Sequence, residues 1–460
     1  PNGAFRGFGA PQSQFACERQ MDRIARELGL SPLAVRRRNL LRDGDELPFG
    51  QILPAGGAGA GAVLESVLRM SGYETRRRDI AAGNGAAAPL GPSWNRSEEP
   101  PPDQNRQRNA LHKRARTGGE ERNPSPSRQP RASSARAPTR DLPRRPPLRG
   151  VGLALYLHGG GFTGAGEERI EGEVAVRFTR DDTVEILTSN VELGQGASTV
   201  LSMIAAQALG VPAEIVRHVD PDTSAVPDSG PTVASRTTMI VGRILVDACR
   251  NMMERLPSGD FLEEARRCVK LHGSLEGRAA YHPPKGRAWD EESYRGDAYK
   301  AYSWGAHVVE VEVDPWTMTV RPLKASVVVE IGRAIHPVLA AGQVAGGALQ
   351  GMAYGYLEEL KHAGGRALND RMATYIIPTI LDTPEISVGI EELPYAGGPY
   401  GAKGLGELPF NGGAPAIAAA VEDATGIAVD ELPITPERLL QSAIDPRAGR
   451  GQGGTKDDAD

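Results

Sequence analysis

Cysteine is scarce in this chain: Cys17, Cys249 and Cys268 are the only three in 460 residues. Their wide spacing excludes a disulfide framework, and no CxxC or HExxH pair offers a zinc or iron–sulfur signature. They read as reduced, buried packing residues of a cytosolic protein. No apolar run reaches 18 residues, so no membrane-spanning helix is expected. Positive charge is not in excess: 53 Lys and Arg face 58 Asp and Glu, a net charge of -5. That balance gives no general attraction to nucleic acid or to an anionic membrane. A GxSxG nucleophile elbow is missing, which removes an esterase reading of the HGGG run that starts at His158. The chain also opens on Pro1 rather than Met, inside what looks like a motif, so an upstream stretch and any targeting signal are expected to lie outside it.

Glycine, by contrast, is abundant, with 56 residues. The most informative cluster is GAKGLGELPF, Gly401 to Phe410, where a single carboxylate, Glu407, follows three glycines within six residues. Such a backbone can approach a bulky ligand closely and aim Glu407 at it; the plainer alternative is a surface turn with a solvated Glu. A second cluster, Gly159, Gly161 and Gly164 after an apolar strand, satisfies GxGxxG, with Asp181 near the expected acidic position. A dinucleotide loop must open a helix, however, and GEERIEGEVAVRF alternates as a strand does, so that reading is set aside.

The length of 460 residues allows two or three domains. Gln14 to Leu28 reads as an amphipathic helix with Phe15, Met21, Ile24, Ala25 and Leu28 on one face and Gly29 closing it. Ser31 and Pro32 open a second helix, expected to run to Asp43-Gly44, whose Arg36, Arg37 and Arg38 read as a solvated face. Residues 76–149 are rich in Arg, Pro, Ser and Gly and have no sustained period; they read as a basic disordered insert or as sequence translated out of frame, with the composition favouring the second. From Gly150 strands and helices intermix: GVGLALYLH, EGEVAVRF and TVEILTSNV as strands, Val308 to Val313 and Val320 to Glu330 as a hairpin, and helices at Leu339 to Lys361, Ala414 to Thr425 and after Thr435-Pro436. Without a strict βαβ repeat, the class is α+β, with mixed sheets and packed helices. The expected division is 1–75, 76–149, 150–445 and a disordered tail over 446–460.

Five ordered segments carry a resemblance: PNGAFRGFGAPQ at Pro1, LHGGGFTGAGEE at Leu157, NVELGQGASTV at Asn190, GQVAGGALQGMAYGYLEEL at Gly342, and the GAKGLGE loop at Gly401. In this order they resemble the large, molybdopterin-binding subunit of the molybdenum hydroxylases, the xanthine dehydrogenase and aldehyde oxidase family. The resemblance implies a molybdopterin-binding fold and hydroxylation of an aldehyde, purine or N-heteroaromatic carbon with oxygen from water. Glu407 would be the general base, a role that a partly desolvated carboxylate in a closed loop suits. Phe8, Phe162, Thr163, Val233 and Ala234 would line the substrate pocket, two aromatic faces being suited to a planar ring. Arg6, Gly7, Gln195, Gly196, Ser235, Gln343 and Lys403 would hold the cofactor, with Arg6 as a fixed cation. The metal would be held by molybdopterin, in its cytosine dinucleotide form, and by no protein ligand. The resemblance further implies partner subunits with [2Fe-2S] clusters and FAD, and a cytoplasmic location.

Three departures from the family pattern stand out: Leu408 where a proline is common, Glu330 where an Asp usually precedes Ile-Gly, and His336 where an Asn is frequent. The first leaves the rigidity of the loop in question, because a proline there would fix φ beside the base. A competing expectation is a non-catalytic remnant or partial subunit that needs the upstream half to bind cofactor.

Overall fold

A computed structural model describes residues 5–84, 145–284 and 288–444. Four helices come first: α1 (Ala10–Glu27), α2 (Pro32–Arg38), α3 (Ala60–Ser71) and α4 (Tyr73–Asn84). The Ser31 hydroxyl accepts from Ala34 N at 3.1 Å, as expected of an N-cap followed by proline, but α2 ends at Arg38 rather than at Asp43-Gly44. In α3 the apolar spacing of Val63, Leu64, Val67 and Leu68 buries one face.

The main sheet follows, formed by β1 (Leu148–Gly159), β8 (Tyr302–Val313), β9 (Val320–Glu330) and β12 (Glu385–Glu391), in that order. Its first three strands are antiparallel, and β12 joins parallel to β9. Between β1 and β8 the chain builds a second sheet. The short helix α5 (Gly166–Ile170) leads into β2 (Glu173–Phe178), β3 (Val184–Leu187), β4 (Val216–His218) and β5 (Leu275–Ala280), ordered β4-β3-β2-β5. Helices α6 (Ala197–Leu209), α7 (Gly242–Met253) and α8 (Phe261–His272) share a hydrophobic core with these strands. Two small ribbons, β6 (Trp289–Asp290) with β7 (Arg295–Gly296) and β10 (His362–Ala363) with β11 (Arg366–Ala367), complete the strands. Helices α9 (Pro337–Tyr356), α10 (Gly413–Thr425) and α11 (Pro436–Ile444) follow, with α10 packed on β1 through alanines such as Ala416 and Ala420. The class is α+β, as expected.

Several expectations are corrected. Residues 76–84 are helical and β1 begins at Leu148, both inside the stretch read as unfolded; the rest of that stretch and the 446–460 tail lie outside the described residues. Cys17 is exposed and only Cys249 is fully buried. The buried face of α1 is charged: Glu18, Arg19 and Asp22 are inside, whereas Leu28 is 64% exposed. They face Arg36, which is 1% exposed and so is no solvated arginine. Burial opposes its charge, but Glu18 and Asp22 outweigh it and hold the guanidinium above its ordinary range. Arg37 does point outward, toward Glu65 and Glu74.

One buried group sets an acid limit. His307 on β8 is fully enclosed, its ring 5.3 Å from that of Tyr156, and neither ring nitrogen has a partner among the described residues. Burial pushes its pKa from 6.5 down to about 3. Between those values the unfolded chain binds a proton that the folded chain does not, so stability falls as pH falls, by about 1.4 kcal/mol per pH unit. His307→Phe is expected to narrow the loss between pH 6.5 and 5 by about 2 kcal/mol, read from urea unfolding at both pH values. Equal losses in the two proteins would refute a neutral buried imidazole.

Candidate functional site

Strand β1 ends in His158 and a glycine turn that rests on two other loops. Gly161 N donates to Ala234 O at 2.8 Å, and Ala234 and Ser235 take left-handed φ values of 55° and 51°. Non-glycine residues in that region are strained, and such strain gathers where a backbone is held for function. Gly404 comes so close that a Cβ there would stand 2.5 Å from Ser235 O, so this position needs glycine. The Ser303 hydroxyl on β8 fastens the same loop by donating to Gly404 O at 2.6 Å.

Glu407 sits just past this contact. Its backbone N–H donates to Ser235 Oγ at 2.9 Å, and its Oε2 lies 3.0 Å from His158 Nε2. The side chain is only 13% exposed. Leu408, next in line, is fully buried in a cluster that includes Val327, Val329 and Val344. The loop is therefore anchored by packing, which answers the question raised by the missing proline.

Arg6 closes the other side. Its Nε donates to Gly406 O at 2.7 Å and Nη1 to Gln350 Oε1 at 3.0 Å. Nη2 donates to the backbone and side-chain oxygens of Gln343 at 3.2 and 3.3 Å. The guanidinium crosses α9 at Gly347, where a Cβ would lie 2.9 Å from Nη2. Burial lowers the Arg6 pKa and the nearby Glu407 carboxylate opposes that shift. Arginine starts so high that the group stays cationic. Arg6, Ser235, Gln343 and Glu407 are thus brought together.

Other expected site residues stand elsewhere or are already engaged. The Lys403 ammonium donates to Glu330 Oε2 at 2.8 Å, with the two side chains 3% and 0% exposed. Its ammonium is thus engaged in a buried ion pair within the chain. Glu330 also accepts from Gly332 N at 2.7 Å, a reach its longer side chain allows. His336 caps α9 by accepting from Leu339 N, as an asparagine could. Phe8 is 63% exposed, and no ring contact joins it to Phe162 among the described residues, so the two do not form a paired aromatic wall within this chain. Phe162 is half-buried and its N–H donates to Glu167, while the exposed Thr163 donates to Tyr299 OH at 2.8 Å. Val233 is half-buried beside the Ala234 turn, and Gly7 is buried with φ 95°. Gln195 spends both ends of its amide inside its own loop, on Val191 O and Leu193 N. Gly196 caps α6 with φ 82° and lies against Leu339, one turn before Gln343. The loop's open amides are gathered by Glu192, which accepts from Gly194, Gly196 and Ser198.

His158, Asn411 and Gln350 were not read as site residues from the sequence. His158 had a signal, its place at the strand end before three glycines, but that run was weighed only as a dinucleotide or esterase motif. The GxGxxG rejection stands: α5 is five residues long and Glu171, at φ 52°, ends it before β2.

Residues 128–384 and 1–40 match two families, each described as a molybdopterin cofactor-binding domain. A putative xanthine dehydrogenase molybdenum-binding subunit of Escherichia coli (strain K12) is 28% identical over 95% of this chain and 53% of its own length. The gamma subunit of the 6-hydroxypseudooxynicotine dehydrogenase complex of Paenarthrobacter nicotinovorans is 29% identical over 96% of the chain and 51% of its own length. Aldehyde oxidoreductase from Desulfovibrio gigas superposes with a TM-score of 0.73 at 24% identity, over 96% of this chain and 42% of that one, and shares the fold. The chain thus spans about half the length of the curated relatives it matches. With more than half of its residues matched, the chain belongs to the molybdopterin cofactor-binding domain family.

Proposed function

We propose that this chain is the cofactor-binding part of a molybdenum-dependent hydroxylase that oxidises an aldehyde, purine or N-heteroaromatic carbon with oxygen from water. One observation carries the reading: Glu407 is fixed by Ser235 and His158 and set beside the Arg6 cation, directly after Gly406, where an added Cβ would meet no atom closer than 3.7 Å.

The donor set fits a molybdenum–molybdopterin group. Arg6 offers a cation, Ser235 and Gln343 offer neutral polar groups, and the glycines at 194, 196, 404 and 406, of which Gly194 and Gly196 have positive φ, include two, Gly194 and Gly406, where an added Cβ would meet no atom closer than 3.7 Å. Among the described residues no cluster of three His, Cys, Asp or Glu could hold a metal alone, so a metal here would arrive with its own organic ligand. When bound, the cofactor supplies the oxidising power, accepting two electrons from a carbon that takes up oxygen from water. The chain does the rest. Arg6 and Gln343 hold the group's polar edge, Gln195 and Gly196 lie at the α6 start beside it, and Gly7 lets the Arg6 loop turn. Ser235 and the buried Leu408 keep the loop closed, and Glu407 takes the proton that the attacking oxygen gives up. Phe162, with Val233 and Ala234 nearby, is the chain's own contribution to the substrate wall; Phe8 and Thr163 face outward and would meet substrate only with further protein around them.

The cytosine dinucleotide form of the cofactor, partner subunits with [2Fe-2S] and FAD, and a cytoplasmic location complete the proposal. The subunit names of the relatives support a heteromeric assembly, and no helix among the described residues is long and apolar enough to cross a membrane. A second reading is a partial subunit that binds no cofactor alone. The test is molybdenum content, after expression with the upstream and neighbouring reading frames in a host that makes molybdopterin. About one metal per chain with pterin released on denaturation is expected; a metal-free protein would support the second reading.

A further inference from the structure

The reach of Glu407 into the protein does not end at its own loop. On the paired strands β1 and β8, His158 stands opposite Ser303, Tyr156 opposite Gly305 and Ala154 opposite His307. Alternation puts all six on one face of the sheet. His158 heads this row at 9% exposure, with Nε2 toward Glu407 Oε2 at 3.0 Å and Nδ1 toward Asn411 Nδ2 at 3.3 Å. Asn411 is fully buried, four residues beyond Glu407 and across the turn Leu408–Phe410.

An amide nitrogen can only donate. Facing Asn411 Nδ2, the His158 Nδ1 must therefore present its lone pair, and the ring proton belongs on Nε2, where it points into the Glu407 carboxylate. The opposite amide orientation would place Asn411 Oδ1 against Nδ1. That would require a proton there and either a bare Nε2 facing a carboxylate or an imidazolium. His307 and Tyr156 behind the row are buried and uncharged, both lying close to Gly412. Arg6 already serves Glu407 as the cation. Glu407 Oε1 makes no hydrogen bond among the described residues.

We propose that His158, locked by Asn411 as its Nε2–H tautomer, is a positioning residue that holds Glu407 Oε2 and leaves Oε1 as the one oxygen able to take a proton from the reacting centre. This rests on the reading of Glu407 as the base. The role differs from a structural contact because it assigns one proton to one nitrogen and one task to each carboxylate oxygen. Transfer then involves Glu407 alone: Oε1 gains the proton, and the Nε2–H bond to Oε2 persists.

The test reads the tautomer directly, by long-range 1H–15N correlation on the full chain labelled at its eight histidines, with His158 assigned by the signal lost in His158→Gln. The expected pattern is a neutral ring protonated at Nε2, perturbed in Glu407→Gln, which alters the acceptor, and converted toward a doubly protonated ring in Asn411→Asp, whose carboxylate demands a proton on Nδ1. A wild-type ring protonated at Nδ1, or on both nitrogens, overturns the proposal without any variant needing to fold. In the loaded enzyme His158→Gln is expected to lower kcat by about 10- to 100-fold with KM nearly unchanged, as supporting partners of a reactive group do. If Glu407→Gln collapses turnover while His158→Gln does not, this proposal fails alone; if Glu407→Gln turns over normally, the reading of Glu407 as the base fails instead.

Discussion

Glu407→Gln is expected to keep its bound cofactor and to lose at least about 10²-fold in turnover, the low end of what a positioned acid–base group contributes. The substitution is nearly isosteric, so the contacts that close the loop survive it. The backbone N–H still reaches Ser235 Oγ, Leu408 stays in its apolar cluster, and Arg6 still holds Gly406 O. What disappears is the one group at this site able to take a proton while beside a fixed cation. Cofactor retention and lost turnover must be read together: molybdenum and pterin content equal to wild type isolates the chemical step, and a fall in kcat and kcat/KM by the same factor marks an interaction made only in the transition state. Wild-type turnover in a fully loaded variant would remove Glu407 from the mechanism. Loss of cofactor with loss of activity would make the carboxylate a determinant of the loop instead.

Much of this site was legible because its chemistry is written in short glycine-bearing segments. A loop that must touch Ser235 O at Gly404, and a helix that must let Arg6 pass at Gly347, leave glycines in the sequence whatever surrounds them. The hairpin β8–β9 and the cap at Ser31 were legible for similar reasons, local signals of alternation and capping. The partners of these segments were not. That His158 faces Glu407 depends on a fold that brings together positions 249 apart in the sequence, and that Lys403 is neutralised by Glu330 depends on the bridge that brings Gly332 to Ala402. Charge patterning misled most where burial reversed its meaning. On α1, periodicity picked out Ile24 and Leu28, yet the side turned inward carries Glu18, Arg19 and Asp22, because Arg36 of α2 and Glu422 of α10 meet them there. A sequence window sees the spacing of charges but not their complements, so a buried ionic network reads as a solvated face.

That network carries the largest stability prediction. Arg36 donates to Glu18 Oε2 at 3.0 and 2.8 Å and to Asp22 Oδ1 at 2.7 Å, and Glu18 Oε2 also accepts from Leu155 N of β1 at 2.8 Å. Arg19 donates to Asp22 at 2.6 Å and to Glu422 of α10, so one cluster ties the N-terminal helices to the sheet and its covering helix. Arg36→Met should destabilise the fold by about 3–5 kcal/mol, because it leaves Glu18 without its arginine partner and weakens the hold on Asp22 while both stay buried. Burial pushes both carboxylates up, and Arg36 is the main group drawing them back. Without it their folded pKa rises further above the unfolded value, so the folded variant binds protons that the unfolded chain releases. Stability is then retained below the unfolded carboxylate range and lost as pH rises through the raised folded values. The deficit against wild type, read from urea unfolding, should accordingly be largest near neutrality and shrink toward pH 4. Adding Glu18→Leu to Arg36→Met should recover a large part of it, since removing both partners leaves no uncompensated charge there. A deficit under about 1 kcal/mol for Arg36→Met at pH 7 would mean that Arg36 behaves as an exposed pair does, and the charged seam between α1, α2 and α10 would then be an incidental contact.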